Sequence, residues 1–288
     1  MKKANIIILA GQSNAVGVGH TKCLPKHFSA DKIKEYYDGY DNVLINYHSH
    51  DKKSGGFVRT TVNCTEKNKD TLGPEVGIAE ELSKAYPEQK IFIVKCAFGG
   101  TSLYRDWLSP SGLETAFGAY DEGAYASQKP DIIAALGTGE PIRAGWCYNE
   151  LVKLLGESIE FLKGQGYTPA IRAFCWMQGE NDSCAQEFVD TYESRYASLL
   201  CDLRSSFGEY FEDCVYIDGG ISEEWAHYKG INESKKKHAQ TYENSYFIDT
   251  VAHGLTTRNE PFEEPDIYHY DSDSTVQLGW LFAQHIKL

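Results

Sequence analysis

With 288 residues, 42% of them hydrophobic and 24% charged, the chain carries enough apolar material for a sizeable core and lacks the composition of a disordered protein. Its formal net charge of -13 repels phosphate backbones and anionic bilayers, which argues against nucleic acid or a membrane surface as partner. No window approaches the ~18 apolar residues of a membrane span, and the apolar run near the start falls short of a secretory core of ~7 to 15 residues.

The chain as given therefore reads as cytoplasmic, although one trimmed of a natural signal would read the same. Eight cysteines are scattered without a C-x-x-C pair, so reduced core thiols are expected, and neither a zinc nor a redox cofactor. Asn5 to Ala10 predicts a strand, and Gly11-Gln12-Ser13-Asn14 follows directly. Turn chemistry alone accounts for such a tetrapeptide. A nucleophilic Ser13 at the carboxyl end of a strand, where open α/β sheets hold ligands, accounts for it equally. Residues 20 to 72, rich in Lys, Asp, Tyr, His and Asn with short β-like runs (VLINYH, GFVRTTVN), read as a long insertion. A helix is predicted over 74 to 86, with Pro74 in its first turn and Val76, Ala79, Leu82 and Ala85 at helical spacing. Then come a strand at 90 to 96, the loop AFGGTSL (97 to 103), and a second insertion at about 109 to 141. A helix at 149 to 166 and a strand at 170 to 177 lead into WMQGENDS (176 to 183). A helix at 185 to 207, strands at 214 to 219 and 245 to 249, the segment DIYH (266 to 269) and a helix at 274 to 288 complete the chain. Strands apolar on both faces, alternating with helices, predict a mostly parallel five-stranded sheet covered by helices in one domain. Both insertions are expected as decorations at the carboxyl edge of that sheet, shaping a substrate pocket.

GQSN, AFGGTSL and WMQGENDS each begin where a predicted strand ends, so a parallel sheet brings them to one edge. Acyl transfer needs a hydroxyl, a histidine to take its proton, and an acid to fix the imidazole. Asp266 and His269 are three residues apart, close enough for one turn to put both on one side. Oxyanion donors are available in the Ser13 N–H, the Gly100 N–H, and the side-chain amide of Asn181 or Gln178. Alone, Ser13 is a turn serine, and only its company makes it a nucleophile. His20, His27, His48, His50, His227, His238, His253 and His285 match no motif and read as surface or core residues. His48-Ser49-His50 has too few companions for a metal. Lys235-Lys236-Lys237 reads as a solvated helix face, and Glu180 and Asp182 have a competing reading as solvated acids at a helix start. Tyr268 and Tyr270 suit a sugar site or core packing alike.

The four stretches together resemble the sequence blocks of the SGNH (GDSL-like) hydrolases. KCAFGGTSL with Trp107, WMQGEND, Gly73-Pro74-Glu75, Gly219-Gly220-Ile221-Ser222 and the late D-x-x-H then L-G are similar to the sialate O-acetylesterase and acetylxylan esterase branch. The resemblance runs from about residue 5 to the C-terminus, outside the two insertions. It implies a flavodoxin-like three-layer α/β/α fold and metal-independent hydrolysis of acetyl esters on a small molecule or oligosaccharide, without a cofactor. By position it makes Ser13 the nucleophile, His269 the base and Asp266 its acid, with Gly100 and Asn181 as oxyanion donors. This branch's Q-G-E motif offers Glu180 as an alternative acid, and Gln178 is an alternative donor. Two competing functions are a non-catalytic carbohydrate-binding protein on the same fold and an esterase or thioesterase for a lipid or other acyl group. Neither the acetylated substrate nor the oligomeric state follows from the sequence.

Overall fold

The first apolar run forms the middle of the sheet. In the computed structural model, which describes residues 2–66, 70–115, 144–211, 213–260 and 266–288, Ile6 to Ala10 are all fully buried. Three consecutive isoleucines with no exposed side are what a strand covered on both faces requires.

In chain order the strands are β1 (Lys2–Gly11), β2 (Gly19–His20), β3 (Val43–Ser49), β4 (Lys52–Lys53), β5 (Val58–Arg59), β6 (Thr71–Leu72), β7 (Ile91–Ala97), β8 (Tyr167–Met177), β9 (Val215–Gly219) and β10 (Ser245–Ile248). The helices are α1 (Ser13–Val16), α2 (Ala30–Asp38), α3 (Glu75–Ala85), α4 (Pro110–Thr115), α5 (Trp146–Gly164), α6 (Gln186–Phe207), α7 (Tyr228–Thr241) and α8 (Ser272–Ala283). The main sheet runs β10-β9-β8-β1-β7-β3-β4, with β5 also paired to β3. From β10 to β3 all neighbours are parallel, whereas β4 and β5 are antiparallel to β3. It is thus an α/β fold with a mostly parallel central sheet flanked by helices.

The five strands expected from the sequence lie side by side and, numbered among themselves, stand in the order 2-1-3-4-5. Among the described residues the sheet is nevertheless eight-stranded, not five-stranded. The excess comes from residues 20 to 72, which are not a loop decoration: β3 pairs with β7 from Val43 opposite Ile91 to Ser49 opposite Ala97. Polar residues disguise this strand. Asn46 donates to Ser158 Oγ at 2.9 Å and accepts from Ser54 Oγ at 2.9 Å, and His48 Nδ1 is 3.0 Å from Glu150, so each has a partner in the interior. Of the second insertion, α4 lies within its first residues, and 116–143 lie outside the described residues.

A buried charge braces the first turn after β1. Lys95, fully buried in β7, donates to Val16 O at 2.7 Å, Cys64 O at 2.8 Å and Glu75 Oε2 at 2.8 Å. All three ammonium protons find acceptors, the condition under which an interior ion pair is tolerated. Burial pushes the Glu75 carboxyl up despite this partner. The end of α1 is thereby fixed to β7 and to the start of α3. No helix among the described residues is long and apolar enough to cross a membrane.

Helices α3 and α8 meet backbone to backbone. A Cβ at Gly77 would lie 2.1 Å from Val276 O, and one at Gly279 would lie 2.1 Å from Pro74 O. A single added methyl must push the helices apart. Gly279→Ala is therefore expected to lower stability by about 1–3 kcal/mol, read from urea unfolding. An unchanged midpoint would show that the helices separate freely.

Candidate active site

The site begins with a tight exit from β1. Gly11 has φ 145° and its position would put a Cβ 1.9 Å from Met177 O, so no side chain fits there. Gln12 N donates to the same Met177 O at 2.9 Å, and α1 starts at Ser13. The N–H groups of a first helical turn lack carbonyls of their own helix. Among the described residues, neither the Ser13 N–H nor its hydroxyl has a hydrogen-bond partner.

The two neighbours of Ser13, to which the sequence assigned nothing, hold the surrounding loops. Gln12 Oε1 accepts from Gln178 Nε2 at 3.2 Å and from Asn181 N at 3.1 Å. Asn14 Nδ2 donates to Glu180 Oε1 at 2.7 Å, while its Oδ1 accepts from Tyr270 N at 3.0 Å. A carboxylate on one end of the amide and an N–H on the other leave one sensible orientation. The turn carrying Ser13 is thus joined to the loop after β8 and to the segment that carries His269.

The loop after β7 is joined to the same assembly. Asp182 accepts from Leu103 N at 2.8 Å, Tyr104 N at 2.7 Å and Gln178 Nε2 at 2.5 Å. It is fully buried, and burial pushes its carboxyl up to about 6. Gly100 has φ 64°. A Cβ at Gly99 would stand 3.9 Å from Ser13 Cβ and 3.6 Å from His50 Nδ1. His50, just past β3, is therefore a neighbour of the site that the sequence reading left among unassigned histidines. Reading 43–49 as a parallel strand would have put its carboxyl end here.

Asp266 and His269 are brought together: Asp266 Oδ2 is 2.6 Å from His269 Nδ1, and Asp266 Oδ1 accepts from Tyr268 N at 3.2 Å. The hydrogen bond with His269 holds the Asp266 carboxyl below the usual carboxylate range. Glu180 is placed differently. It is fully buried, raised by that burial, bonded to Asn14, and not bonded to His269 among the described residues. Its Oε2 has no partner among them. Gln178 Nε2 faces three acceptors, namely Gln12 Oε1, Thr101 O and Asp182 Oδ2. Its two protons are committed to them. The side-chain amide of Asn181 makes no hydrogen bond among the described residues.

Two readings need correction, and the one left open for Tyr270 falls to core packing. Glu180 and Asp182 are not solvated acids at a helix start; both are interior groups. Lys235 is not on a solvated face: it is 1% exposed and donates to Asp218 at 2.5 Å and to Gly219 O at 2.8 Å, with only Lys236 and Lys237 outside. Tyr270 is a core residue, its hydroxyl donating to Gly220 O at 3.1 Å and lying 2.9 Å from Thr250 Oγ1.

With this geometry in hand, comparison with known proteins is informative. The family model described as "Carbohydrate esterase, sialic acid-specific acetylesterase" matches residues 3–287. The chain belongs to that family. It is a hydrolase of the SGNH-type carbohydrate esterases, as the motifs implied. Among solved structures it is similar to a protein from Arabidopsis thaliana, with TM-score 0.64 and 19% identity over 99% of this chain and 97% of the other. It is also similar to NanS, with TM-score 0.61 and 16% identity over 98% of this chain and 95% of the other. A carbohydrate acetylesterase from Xanthomonas citri matches with TM-score 0.55 and 12% identity, over 98% of this chain and 55% of the other. At such identities the likeness is one of fold. Comparison with curated protein sequences gave no significant match.

In this member of the acetylesterase family, Asn14 carries a structural load that can be measured. Asn14→Ala removes the partner of buried Glu180 and the tie to Tyr270, and should cost about 1–3 kcal/mol of stability. Turnover of an acetyl ester should fall about a hundredfold as the His269 segment shifts. Urea unfolding and p-nitrophenyl acetate hydrolysis read the two effects; wild-type values in both would show that Asn14 holds nothing.

Proposed function

We propose that the protein is a serine esterase that removes O-acetyl groups from a carbohydrate. His269 takes the Ser13 proton through Nε2 as Ser13 Oγ bonds to the acetyl carbon. The carbonyl electrons move onto oxygen, where the Ser13 N–H, the Gly100 N–H and the Asn181 amide receive the charge. Collapse of this intermediate breaks the bond to the sugar oxygen, which leaves with the proton from His269. Water, deprotonated by the same imidazole, then releases acetate and restores Ser13. Asp266 keeps the Nδ1 proton in place and stabilises the imidazolium.

The observation that carries this reading is the His269–Asp266 pair at 2.6 Å, on a segment whose next residue, Tyr270, donates to the neighbour of Ser13. Glu180 is assigned to bracing through Asn14, and Gln178 to bracing through Asp182 and Gln12. The fold is inferred to be the flavodoxin-like three-layer form in a single domain. The 2-1-3-4-5 order supports it, and Ser13 follows the strand beside β8, at the switch point where such sheets bind ligands.

Ser13→Ala should abolish p-nitrophenyl acetate hydrolysis and labelling by a fluorophosphonate. Labelling also separates the esterase from a binding protein, which forms no Ser13 adduct. Asp266→Asn should lower kcat by about 10⁴-fold through the wrong tautomer, whereas Glu180→Gln, which still accepts from Asn14, should cost far less. A larger loss in Glu180→Gln would transfer the acid role to Glu180. Equal rates in wild type and Ser13→Ala would end the mechanism.

A further inference from the structure

An aromatic pair, one ring exposed and the other half-buried, adjoins the base. Tyr268 is 47% exposed, and its ring centroid lies 4.8 Å from that of Trp225 with the planes at 48°. Tyr268 is held in place by chemistry already described: its N–H donates to one oxygen of Asp266 while the other oxygen holds His269. Trp225 arrives on the loop after β9, which is anchored two residues later by His227 N donating to Ser183 O at 3.1 Å. The indole Nε1–H of Trp225 has no acceptor among the described residues. The ledge is therefore fixed relative to the imidazole and built from two loops.

Its position follows the demands of the reaction. The imidazole that deprotonates Ser13 must return a proton to the departing alcohol, so the alcohol portion of the ester has to lie against His269. The exposed side chain adjoining His269 in the chain is Tyr268. A sugar ring presents a face of C–H groups that an aromatic ring covers, and a rim of hydroxyls that needs donors and acceptors. Such groups stand nearby. Thr257 lines both the small hollow at His269 and a cleft of about 280 Å³. The cleft is walled by Glu224 and Arg258, joined by two hydrogen bonds of 2.6 Å each.

We propose that Tyr268, backed by Trp225, is the platform for the sugar ring that bears the acetyl group, with Glu224 and Arg258 meeting its hydroxyls. This assignment rests on the esterase reading above. The test compares two substrates of the full chain: per-O-acetylated methyl β-D-xylopyranoside, whose leaving alcohol is a sugar ring, and ethyl acetate, whose leaving alcohol has none. In Tyr268→Ala the ratio of kcat/KM for the sugar ester to that for ethyl acetate should fall by about five- to tenfold. The loss should lie mainly in KM, and Tyr268→Phe, which keeps the ring, should restore the ratio. A Tyr268→Ala ratio equal to wild type overturns the platform, including the case where both rates drop together through a disturbed His269. Ser13→Ala as active as wild type on ethyl acetate would instead overturn the esterase reading, so the two failures are told apart.

Discussion

The site depends on two side-chain amides that flank one serine. Gln12 and Asn14 emerge on either side of Ser13, and between them they bond to Gln178, Asn181, Glu180 and Tyr270. Each is almost fully buried. Asn14 is engaged at both ends of its amide and Gln12 at its oxygen, and each buried partner left unpaired costs about 1–3 kcal/mol. The two residues therefore specify where the loop after β8 and the His269 segment must dock. Gly11 makes this possible by turning the chain directly against Met177 O, so that both amides leave the sheet at its edge.

Buried charges extend the bracing away from Ser13. Lys95 fixes the far end of α1, Lys235 ties α7 to the end of β9 through Asp218 and Gly219, and Asp182 ties the loops after β7 and β8. Burial raises the Asp218 carboxyl to about 7 and Asp182 to about 6. Apolar residues of similar size would pack with less desolvation cost. They would not demand a particular loop conformation, whereas an interior charge is tolerated only where its partners stand.

The sequence was most readable where burial and chemistry coincide. Ile6 to Ala10 are apolar without interruption, Ile91 to Cys96 are apolar but for Lys95 and Ala170 to Met177 but for Arg172, and each became a strand of the central sheet. It was least readable where interior positions are polar. β3 hides behind Asn46, His48 and Ser49, and α7 buries Ile231, Lys235 and His238, a face two-thirds ionisable that no hydrophobic period reveals. The same blindness affected the site. D-x-x-H is local, so its hydrogen bond was foreseeable, but Gln12 and Asn14 act on residues more than a hundred positions away. Nothing in a tetrapeptide shows such partners. His50 was missed for the reason β3 was.

The arrangement divides the site into two halves with different constraints. Ser13, the glycines at 99 and 100 and Asn181 sit at the ends of adjacent central strands, where backbone register and buried amides fix them within narrow limits. His269 sits outside that frame, on a turn held by Asp266 and anchored through Tyr270, which bonds to Asn14 by its N–H and to Gly220 O by its hydroxyl. The loops around it, after β9 and from Val251 to Glu260, meet one another and the His269 turn through contacts such as Glu224 with Arg258 and Trp225 with Tyr268, and the second is tied to the start of α8 through Asp271, Ser272 and Ser274. Exposed side chains there, such as Tyr268 and Arg258, meet loop residues and not the strand ends. Attack on an acetyl group needs one fixed geometry, while the alcohols that carry it differ in size and shape. On the proposed mechanism, a fold with the attacking half at strand ends and the leaving-group half on loops can alter the second without disturbing the first.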